Sequence, residues 1–167
     1  RYKDHPALNA WHISNEFCGE CFCSKCQAAF REWLKRKYGT LERLNKAWWT
    51  SFWSHTYTDW EQIEAPSPLG ETCTHGLTLD WKRFVTDQST DFMNVEIAAL
   101  KEFTPDIPVT TNYMNFYDGL DYRVMSKSLD FISNDLYSDW QGDEEVDIEV
   151  AKDAAMCHDL MRTLKGK

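Results

Sequence analysis

The sequence has no apolar run long enough to cross a lipid bilayer, and its first residues do not resemble a secretory signal peptide. It also has no excess of basic charge, because 18 Lys and Arg stand against 27 Asp and Glu and the formal net charge is -9. The Lys and Arg residues are spread over the polar faces of predicted helices and form no basic stripe. We therefore expect neither a membrane span nor a nucleic-acid partner.

The chain shows no internal repeat and no low-complexity segment, and its 167 residues are 43% hydrophobic. This length and composition are typical of a single globular domain with a core of its own. The first residues, RYKDHP, do not resemble a natural start. We therefore expect residues 1–167 to be one incomplete domain of a longer protein.

Six cysteines are present, and four of them lie between Cys18 and Cys26. Small secreted domains use closely placed cysteines for disulfides, but a chain of this size does not need such covalent support. The short spacing is instead typical of a metal site. A reducing, cytoplasmic setting fits this usage best.

Apolar periodicity predicts three short strands that alternate with helices. A pairing of Ser24 with Gln27 predicts a capping box at the start of the first helix, Gly39 its end, and Thr40 the cap of the second. An elaborate loop follows over residues 50–76. The predicted strands are residues 10–14, 107–112 and 130–134. The predicted helices run from the Ser24–Gln27 capping box to Tyr38 and over residues 41–48, 78–103, 119–125 and 150–164.

Each predicted strand begins apolar and ends polar, as in Ser14-Asn15-Glu16, Thr111-Asn112 and Ser133-Asn134-Asp135. Strands that alternate with helices favour a parallel sheet, and a (β/α)8 barrel places its chemistry at the carboxyl ends of its strands. A doubly wound open sheet is the alternative, but no glycine-rich phosphate turn follows the first strand. A closed barrel has eight strands and roughly 250 residues, so we expect a partial TIM barrel of about three parallel strands with crossover helices.

Glu16 is the carboxyl group at the end of the first predicted strand, with Asn15 before it and Trp11 and Phe17 nearby. Apolar surroundings raise the pKa of a carboxyl group toward neutrality, as a general acid requires. The alternative is a solvated loop glutamate. An Asn-Glu pair by itself does not separate the two interpretations.

Successive blocks of the sequence carry a more specific signal. They are HPAL from residue 5, AWHISNE from residue 10, CFCSKC from residue 21, FREWL from residue 30, YGTL from residue 38 and FWSHTY from residue 52. In this order they resemble the β-galactosidases of glycoside hydrolase family 42, and the resemblance spans essentially the whole chain. It implies a retaining hydrolase of terminal non-reducing β-D-galactosyl residues, built on a (β/α)8 barrel and commonly assembled as a homotrimer.

The resemblance also implies roles for individual residues. Glu16 corresponds to the general acid/base, Asn15 to the partner of the sugar 2-hydroxyl, Trp53 to a wall of the galactose site, and Tyr137 to the tyrosine after the sixth strand. The chain departs from the family pattern where Ser138 replaces a common proline, and where Phe17 and Cys18 replace a tyrosine and a glycine after the glutamate.

A retaining glycosidase needs a second carboxyl group about 5 Å from the first. In the family that group is a glutamate at the end of the next strand, which we expect to lie beyond Lys167. Asp135 is the internal carboxylate that could compete for this role, and we interpret it as structural.

Cys21, Cys23 and Cys26 predict a zinc-knuckle loop, because closely spaced thiolates can converge on one tetrahedral ion. In family members this trio is joined by a cysteine from earlier in the chain. Here Cys18 is either the fourth ligand or a free thiol beside the active site. Reduced thiols without metal are the alternative, and a zinc ion here would be structural and not catalytic.

Two further functions stay open from the sequence. The piece is either a part of a β-galactosidase or a non-catalytic, zinc-stabilised fragment with at most weak sugar binding through Trp53 and Tyr137. Within the enzyme class, a related retaining barrel glycosidase, such as one that acts on arabinosides, has the same Asn-Glu arrangement.

Overall fold

The structure is a computed structural model that describes residues 2–67 and 73–166, with the side chain of Trp53 also outside the description. Its contacts group into two compact units, Gly19–Val85 and a second unit made of Arg1–Cys18 and Thr86–Lys167. The strands are β1 (Trp11–His12), β2 (Val109–Thr110), β3 (Asn112–Tyr113) and β4 (Ser133–Asn134), and the helices are α1 (Ser24–Tyr38), α2 (Leu41–Trp48), α3 (His75–Lys101), α4 (Tyr122–Met125) and α5 (Glu144–Thr163).

The unit Gly19–Val85 is helical and has an aromatic core. Phe30 and Leu34 of α1 and Leu44 and Trp48 of α2 are buried in it, at the spacing that the sequence predicts. The loop after α2 contributes Ile63 and Ala65 and contains two short 3-10 helices, Thr50–Trp53 and Trp60–Gln62. Leu77, Trp81 and Phe84 of α3 complete this core.

The ends of α1 differ in how well the sequence predicts them. Gly39 ends the helix with a φ of 75°, a conformation that glycine adopts without the steric penalty of a side chain. Thr40 then caps α2, since its side chain accepts a hydrogen bond from the backbone N–H of Arg43. The capping box predicted for Ser24 and Gln27 is wrong: Cys23 is the N-cap and makes no side-chain cap bond, so Ser24 already lies inside the helix.

Helix α3 changes its buried face along its length. Leu77, Trp81 and Phe84 are buried, but Phe92 and Val95, which continue their helical spacing, are 56% and 67% exposed. Thr86 and Met93 are buried instead. Thr86 follows Leu77 by nine residues, or about two and a half turns, so it lies on the opposite side of the helix. The helix predicted for residues 78–103 is thus present as His75–Lys101, but its buried residues lie on different faces in its two halves.

In the second unit the strands pair in parallel, as the order of elements predicts. β1 pairs with β2 in the register Trp11 to Val109, and β3 pairs with β4 in the register Asn112 to Ser133. β2 and β3 are consecutive parts of one extended segment, so residues 109–113 pair with β1 through their first half and with β4 through their second. The observed strands are shorter than the predicted ones, but all three predicted segments contain paired residues.

Residues of β3, α4 and α5 contribute buried side chains to this unit. The rings of Tyr113 and Tyr122 stack with their centroids 3.8 Å apart. Cys157 and Met161 of α5 are buried on the face that the sequence predicts for this helix. Among the described residues, no helix is both long and apolar enough to span a membrane. That residues 1–167 form one incomplete barrel domain stays a prediction.

Candidate active site

The chain segment that follows β1 has an unusual backbone. Ser14 has a φ of 42° and Glu16 a φ of 46°, so two non-glycine residues on either side of Asn15 adopt left-handed conformations. Such conformations cost free energy and persist where surrounding contacts hold them. One contact is visible at Ser14, whose hydroxyl donates to the carboxylate of Glu96 on α3 at 2.8 and 2.9 Å.

The second contact at this segment comes from Asn112 on β3, which is 5% exposed. Its Oδ1 accepts the backbone N–H of Glu16 at 2.9 Å. Its Nδ2 donates to Asp135 Oδ2 at 2.7 Å and to Asn15 Oδ1 at 3.3 Å. We call these four residues the Asn112 network; they join the polar ends of all three strand segments that the sequence predicts.

Asp135 acts directly on the carboxyl group of Glu16. A side-chain hydrogen bond with Asp135 makes the largest contribution to raising the pKa of Glu16, and burial and the negative charge of Asp135 raise it further. Two carboxyl groups that share a hydrogen bond hold a proton between them more easily than either does alone. The arrangement favours a protonated Glu16 at a higher pH than an isolated glutamate would allow.

Glu16 and Asn15 also line an open cleft of about 460 Å³. Its other walls come from Phe17, Cys18 and the α3 residues Gln88 and Phe92. The ring of Phe17 packs edge-on against that of Phe92, with centroids 6.1 Å apart. Glu16 is partly exposed here, so its carboxyl group is within reach of solvent and of a bound molecule.

The other predicted sugar contacts are placed differently. Tyr137 is 84% exposed and lines a separate cavity of about 250 Å³, together with Asn115 and Phe116. The backbone of Trp53 closes a 3-10 helix, and its side chain lies outside the described part of the chain. The structure therefore brings Asn15 and Glu16 together and leaves the sugar-binding roles of Trp53 and Tyr137 as predictions.

The three cysteines of the predicted metal loop converge. The sulfur atoms of Cys21, Cys23 and Cys26 all lie within 4.8 Å of one another, and the Sγ atoms of Cys23 and Cys26 are 3.7 Å apart. A backbone hydrogen bond from Cys26 leads in lowering the pKa of Cys23 to about 7, whereas a side-chain hydrogen bond with Cys21 leads in raising that of Cys26 to about 12. Three sulfurs so close together can bind one metal ion.

Contacts of the loop with α3 hold the cysteines in this arrangement. The carboxylate of Glu20 accepts a hydrogen bond of 2.7 Å from the indole Nε1 of Trp81. The ring of Phe22 stacks on the same indole, with centroids 5.4 Å apart. Because Trp81 is 1% exposed, the residues on both sides of Cys21 are fixed to the core of their unit.

Asn112 was not singled out as a functional residue by the sequence. The available signal was its position as the polar end of a predicted strand. Its role becomes visible only with the register of the strands, which places its amide between Glu16 and Asp135.

Comparison with known proteins identifies the family. The family model for β-galactosidases of glycoside hydrolase family 42 matches residues 1–167. This chain belongs to glycoside hydrolase family 42. The resemblance inferred from the sequence blocks is thus confirmed.

Relatives in the family are similar over the whole chain. β-Galactosidase BglY of Alicyclobacillus acidocaldarius is 58% identical over 167 residues, which are 100% of this chain and 24% of BglY. β-Galactosidase GanA of Bacillus subtilis is 55% identical over 172 residues, covering 99% of this chain and 26% of GanA. The crystal structure of the cold-adapted β-galactosidase from Rahnella sp. R3 superposes with a TM-score of 0.94 at 56% identity, covering 99% of this chain and 24% of that one.

Two facts follow for this family 42 chain. It spans about a quarter of the length of the relatives it matches. Its strands and helices are those of a segment of family 42 β-galactosidases, which supports the predicted α/β architecture and parallel strand order.

Proposed function

We propose that the protein containing this chain is a retaining β-galactosidase and that Glu16 is its general acid/base. The observation that carries the proposal is the position of Glu16: it follows a parallel strand, lines an open cleft, and shares a hydrogen bond with Asp135 that raises its pKa. Active sites of (β/α)8 enzymes lie at this end of the strands. The relatives named as β-galactosidases support the substrate class.

In the first step, protonated Glu16 donates its proton to the glycosidic oxygen while a carboxylate attacks the anomeric carbon. The bond to the leaving group breaks, and the galactosyl unit becomes covalently attached to the enzyme. In the second step, ionised Glu16 removes a proton from water and the water oxygen attacks the anomeric carbon. The bond between that carbon and the attacking carboxylate breaks, which frees the carboxylate and releases galactose with retained configuration. Glu16 ends the cycle protonated, ready for the next substrate.

We propose that the attacking carboxylate is a glutamate outside these 167 residues. Asp135 does not fit this role, because it is hydrogen-bonded to Glu16 and to Asn112. The two carboxyl groups of a retaining glycosidase stand about 5 Å apart with the sugar between them. The Oδ2 of Asp135 instead accepts from the Asn112 amide, and the family resemblance gives the attacking role to a glutamate that follows the next strand.

Asn15, Trp53 and Tyr137 are proposed to bind the galactosyl unit. The Oδ1 of Asn15 accepts the Asn112 bond of 3.3 Å, which directs the amide group that would contact the sugar 2-hydroxyl. Aromatic rings such as those of Trp53 and Tyr137 offer flat apolar faces with a polar edge, which suits a sugar ring. The family resemblance supports these three assignments.

A structural zinc ion is proposed for the cysteine loop. Cys21, Cys23 and Cys26 would bind it as thiolates, and their mutual distances below 4.8 Å support this. A bound zinc ion would fix the loop and take no part in hydrolysis. Cys18 or a cysteine from another part of the protein would complete the four-coordinate shell that structural zinc sites have.

The setting and assembly of the protein are proposed on the same basis. The free thiols of Cys18, Cys21, Cys23 and Cys26 suit a reducing compartment such as the cytoplasm. The family resemblance supports a homo-oligomer, with a trimer as the expected form. The proposed substrate is a β-galactoside.

The acid/base role of Glu16 is tested by replacing Glu16 with Ala in the full-length protein. Hydrolysis of lactose should fall by a factor of ~10² to 10⁴, because its leaving group needs a proton. Cleavage of a dinitrophenyl β-galactoside should lose much less in its first step, since dinitrophenolate leaves without one. Replacing exposed Glu149 with Ala is the control. Lactose hydrolysis at the wild-type rate in the Glu16 variant would refute the assignment.

A further inference from the structure

The amide group of Asn112 is oriented by its own partners. The backbone N–H of Glu16 can only donate, so the atom of Asn112 that faces it is the oxygen. The Nδ2 then faces Asp135 Oδ2 at 2.7 Å, a charge-assisted hydrogen bond. The buried amide of Asn112 therefore accepts a hydrogen bond from the backbone of Glu16 and donates one to the carboxylate of Asp135.

Backbone and side chain at Glu16 both depend on this amide. The bond to the N–H of Glu16 restrains a residue whose φ is 46°. The bond to Asp135 fixes the carboxylate that interacts with the Glu16 side chain. Asp135 is held from a second direction as well, because its backbone N–H donates to the carbonyl oxygen of Tyr113 at 2.8 Å.

We propose that Asn112 is a positioning residue for the acid/base: its amide fixes the backbone of Glu16 and holds Asp135 against the Glu16 carboxyl group. The inference rests on the proposed function of Glu16. It explains why a buried amide lies at this strand end, where an apolar side chain would leave a backbone N–H and a carboxylate without this partner.

The titratable and charged groups near Glu16 come from three segments. Asp135 follows β4, and a side-chain hydrogen bond with it raises the pKa of Glu16. Glu96 on α3 accepts from Ser14, two residues before Glu16. Cys18 lines the same cleft. Of these, Asp135 is the group whose place Asn112 controls directly.

Two substitutions at Asn112 should shift the pH dependence in opposite directions. Asn112→Asp keeps the acceptor for the Glu16 N–H and puts an oxygen in place of the donor to Asp135, so a third carboxyl group beside Glu16 raises its pKa. Asn112→Ala releases Asp135, so the pKa of Glu16 falls. A general acid acts while protonated, so the alkaline limb of kcat/KM should move to higher pH in Asn112→Asp and to lower pH in Asn112→Ala.

The matched control is Asn9→Asp. Asn9 is exposed and precedes β1, at the end of that strand away from Glu16. The change adds a carboxyl group in the same unit, outside the Asn112 network. We expect the alkaline limb of Asn9→Asp to stay at the wild-type pH.

The experiment measures kcat/KM against pH in the full-length protein for lactose and for a dinitrophenyl β-galactoside. Both Asn112 variants should lose about 10²-fold on lactose, because a misplaced acid transfers its proton poorly. On the dinitrophenyl substrate they should lose less than about threefold at the bond-cleavage step, measured as kcat/KM. Equal losses of kcat/KM on both substrates, with an unmoved alkaline limb, would show a purely structural role and overturn the proposal. Wild-type kcat/KM on both substrates would also overturn it.

Two further measurements distinguish a failure of the positioning role from a folding defect and from a failure of the proposed role of Glu16. Circular dichroism and thermal unfolding identify a variant that does not fold; if Asn112→Ala fails to fold, the isosteric Asn112→Asp decides alone. Glu16→Gln is measured beside them. If Glu16→Gln hydrolyses lactose at the wild-type rate, the acid/base role of Glu16 is wrong. If Glu16→Gln is impaired and Asn112→Asp behaves as wild type, only the positioning role is wrong.

Discussion

The carboxylate of Asp80, which is 1% exposed, accepts a hydrogen bond of 3.0 Å from the indole Nε1 of Trp48. It also accepts from the Tyr38 hydroxyl at 2.5 Å and from Arg83 at 2.9 Å, and it pairs with Lys37. These partners belong to α1, α2 and α3. One buried charge therefore joins the three helices of the unit Gly19–Val85.

Replacing Asp80 with Asn should destabilise the protein by about 1–3 kcal/mol at neutral pH, because a neutral amide cannot accept all the hydrogen bonds that the buried carboxylate accepts. Burial alone would raise the pKa of Asp80, but its hydrogen bonds outweigh this and lower it. A lowered pKa stabilises the fold above the ordinary pKa of aspartate, and this contribution is lost as pH falls through the folded-state value. The difference between wild type and variant should shrink in strong acid.

Denaturant unfolding at several pH values measures this difference, with Asp159→Asn as the control. Asp159 forms an exposed pair with Arg162 on α5, and exposed pairs contribute about 0–1 kcal/mol. Similar losses of unfolding free energy in the two variants would show that buried Asp80 contributes no more to stability than an exposed ion pair does.

Replacing Asp135 with Asn should move the alkaline limb of the kcat/KM profile for lactose to lower pH. Asp135 raises the pKa of Glu16 by its hydrogen bond and by its charge, so removing the charge lets Glu16 lose its proton at a lower pH. The profile is measured in the full-length protein beside Asp139→Asn, an exposed aspartate nearby in sequence. A limb that stays in place or moves to higher pH contradicts the coupling.

Elemental analysis should find about one zinc ion per chain in protein purified without a histidine tag. Cys23→Ser should abolish the bound zinc, because Cys23 lies within 4.8 Å of both neighbouring sulfurs. Cys157→Ala should keep it, since Cys157 is buried on α5 beside Asn134 and Asn115. Protein without zinc, in which Cys21, Cys23 and Cys26 react as free thiols, would favour the metal-free alternative.

Residues 1–167 expressed alone should show no galactosidase turnover and should self-associate. Glu16 can protonate a leaving group, but the second carboxylate that a retaining mechanism needs is the glutamate that we propose to lie outside these residues. An arc of parallel strands also has two edges that can pair with another copy. Light scattering and an activity assay on one sample test both parts. A monodisperse monomer whose turnover is abolished by Glu16→Gln would show that the chain supplies its own nucleophile.

Local patterns in the sequence predict the helices well and the Asn112 network poorly. Phe30, Leu34, Leu44 and Trp48 recur at helical spacing and are buried as expected, because a helix that packs on one side needs one apolar face. The function of Asn112 depends on which residues the strand register places beside it, and no local pattern contains that information.

The burial of side chains along α3 is also poorly predicted by local sequence patterns. Phe92 continues the apolar spacing of Trp81 and is 56% exposed, whereas Met93 is fully buried. Periodicity assumes one buried face along a helix, whereas the buried residues of α3 lie on different faces in its two halves. Asp80 is a further case, since its burial depends on charges from α1 that spacing along α3 does not show.

The Asn112 amide bonds to Asn15 across a separation of 97 positions and to Glu16 across 96. Closing a chain interval costs conformational entropy that grows only with the logarithm of its length, roughly 0.6 kcal/mol for each doubling. The geometry at Glu16 is set by the two ends of this interval and not by the number of residues within it. Insertions and deletions between Gly19 and Val85 are therefore a route by which related proteins can diverge while the Glu16 carboxyl group keeps its place.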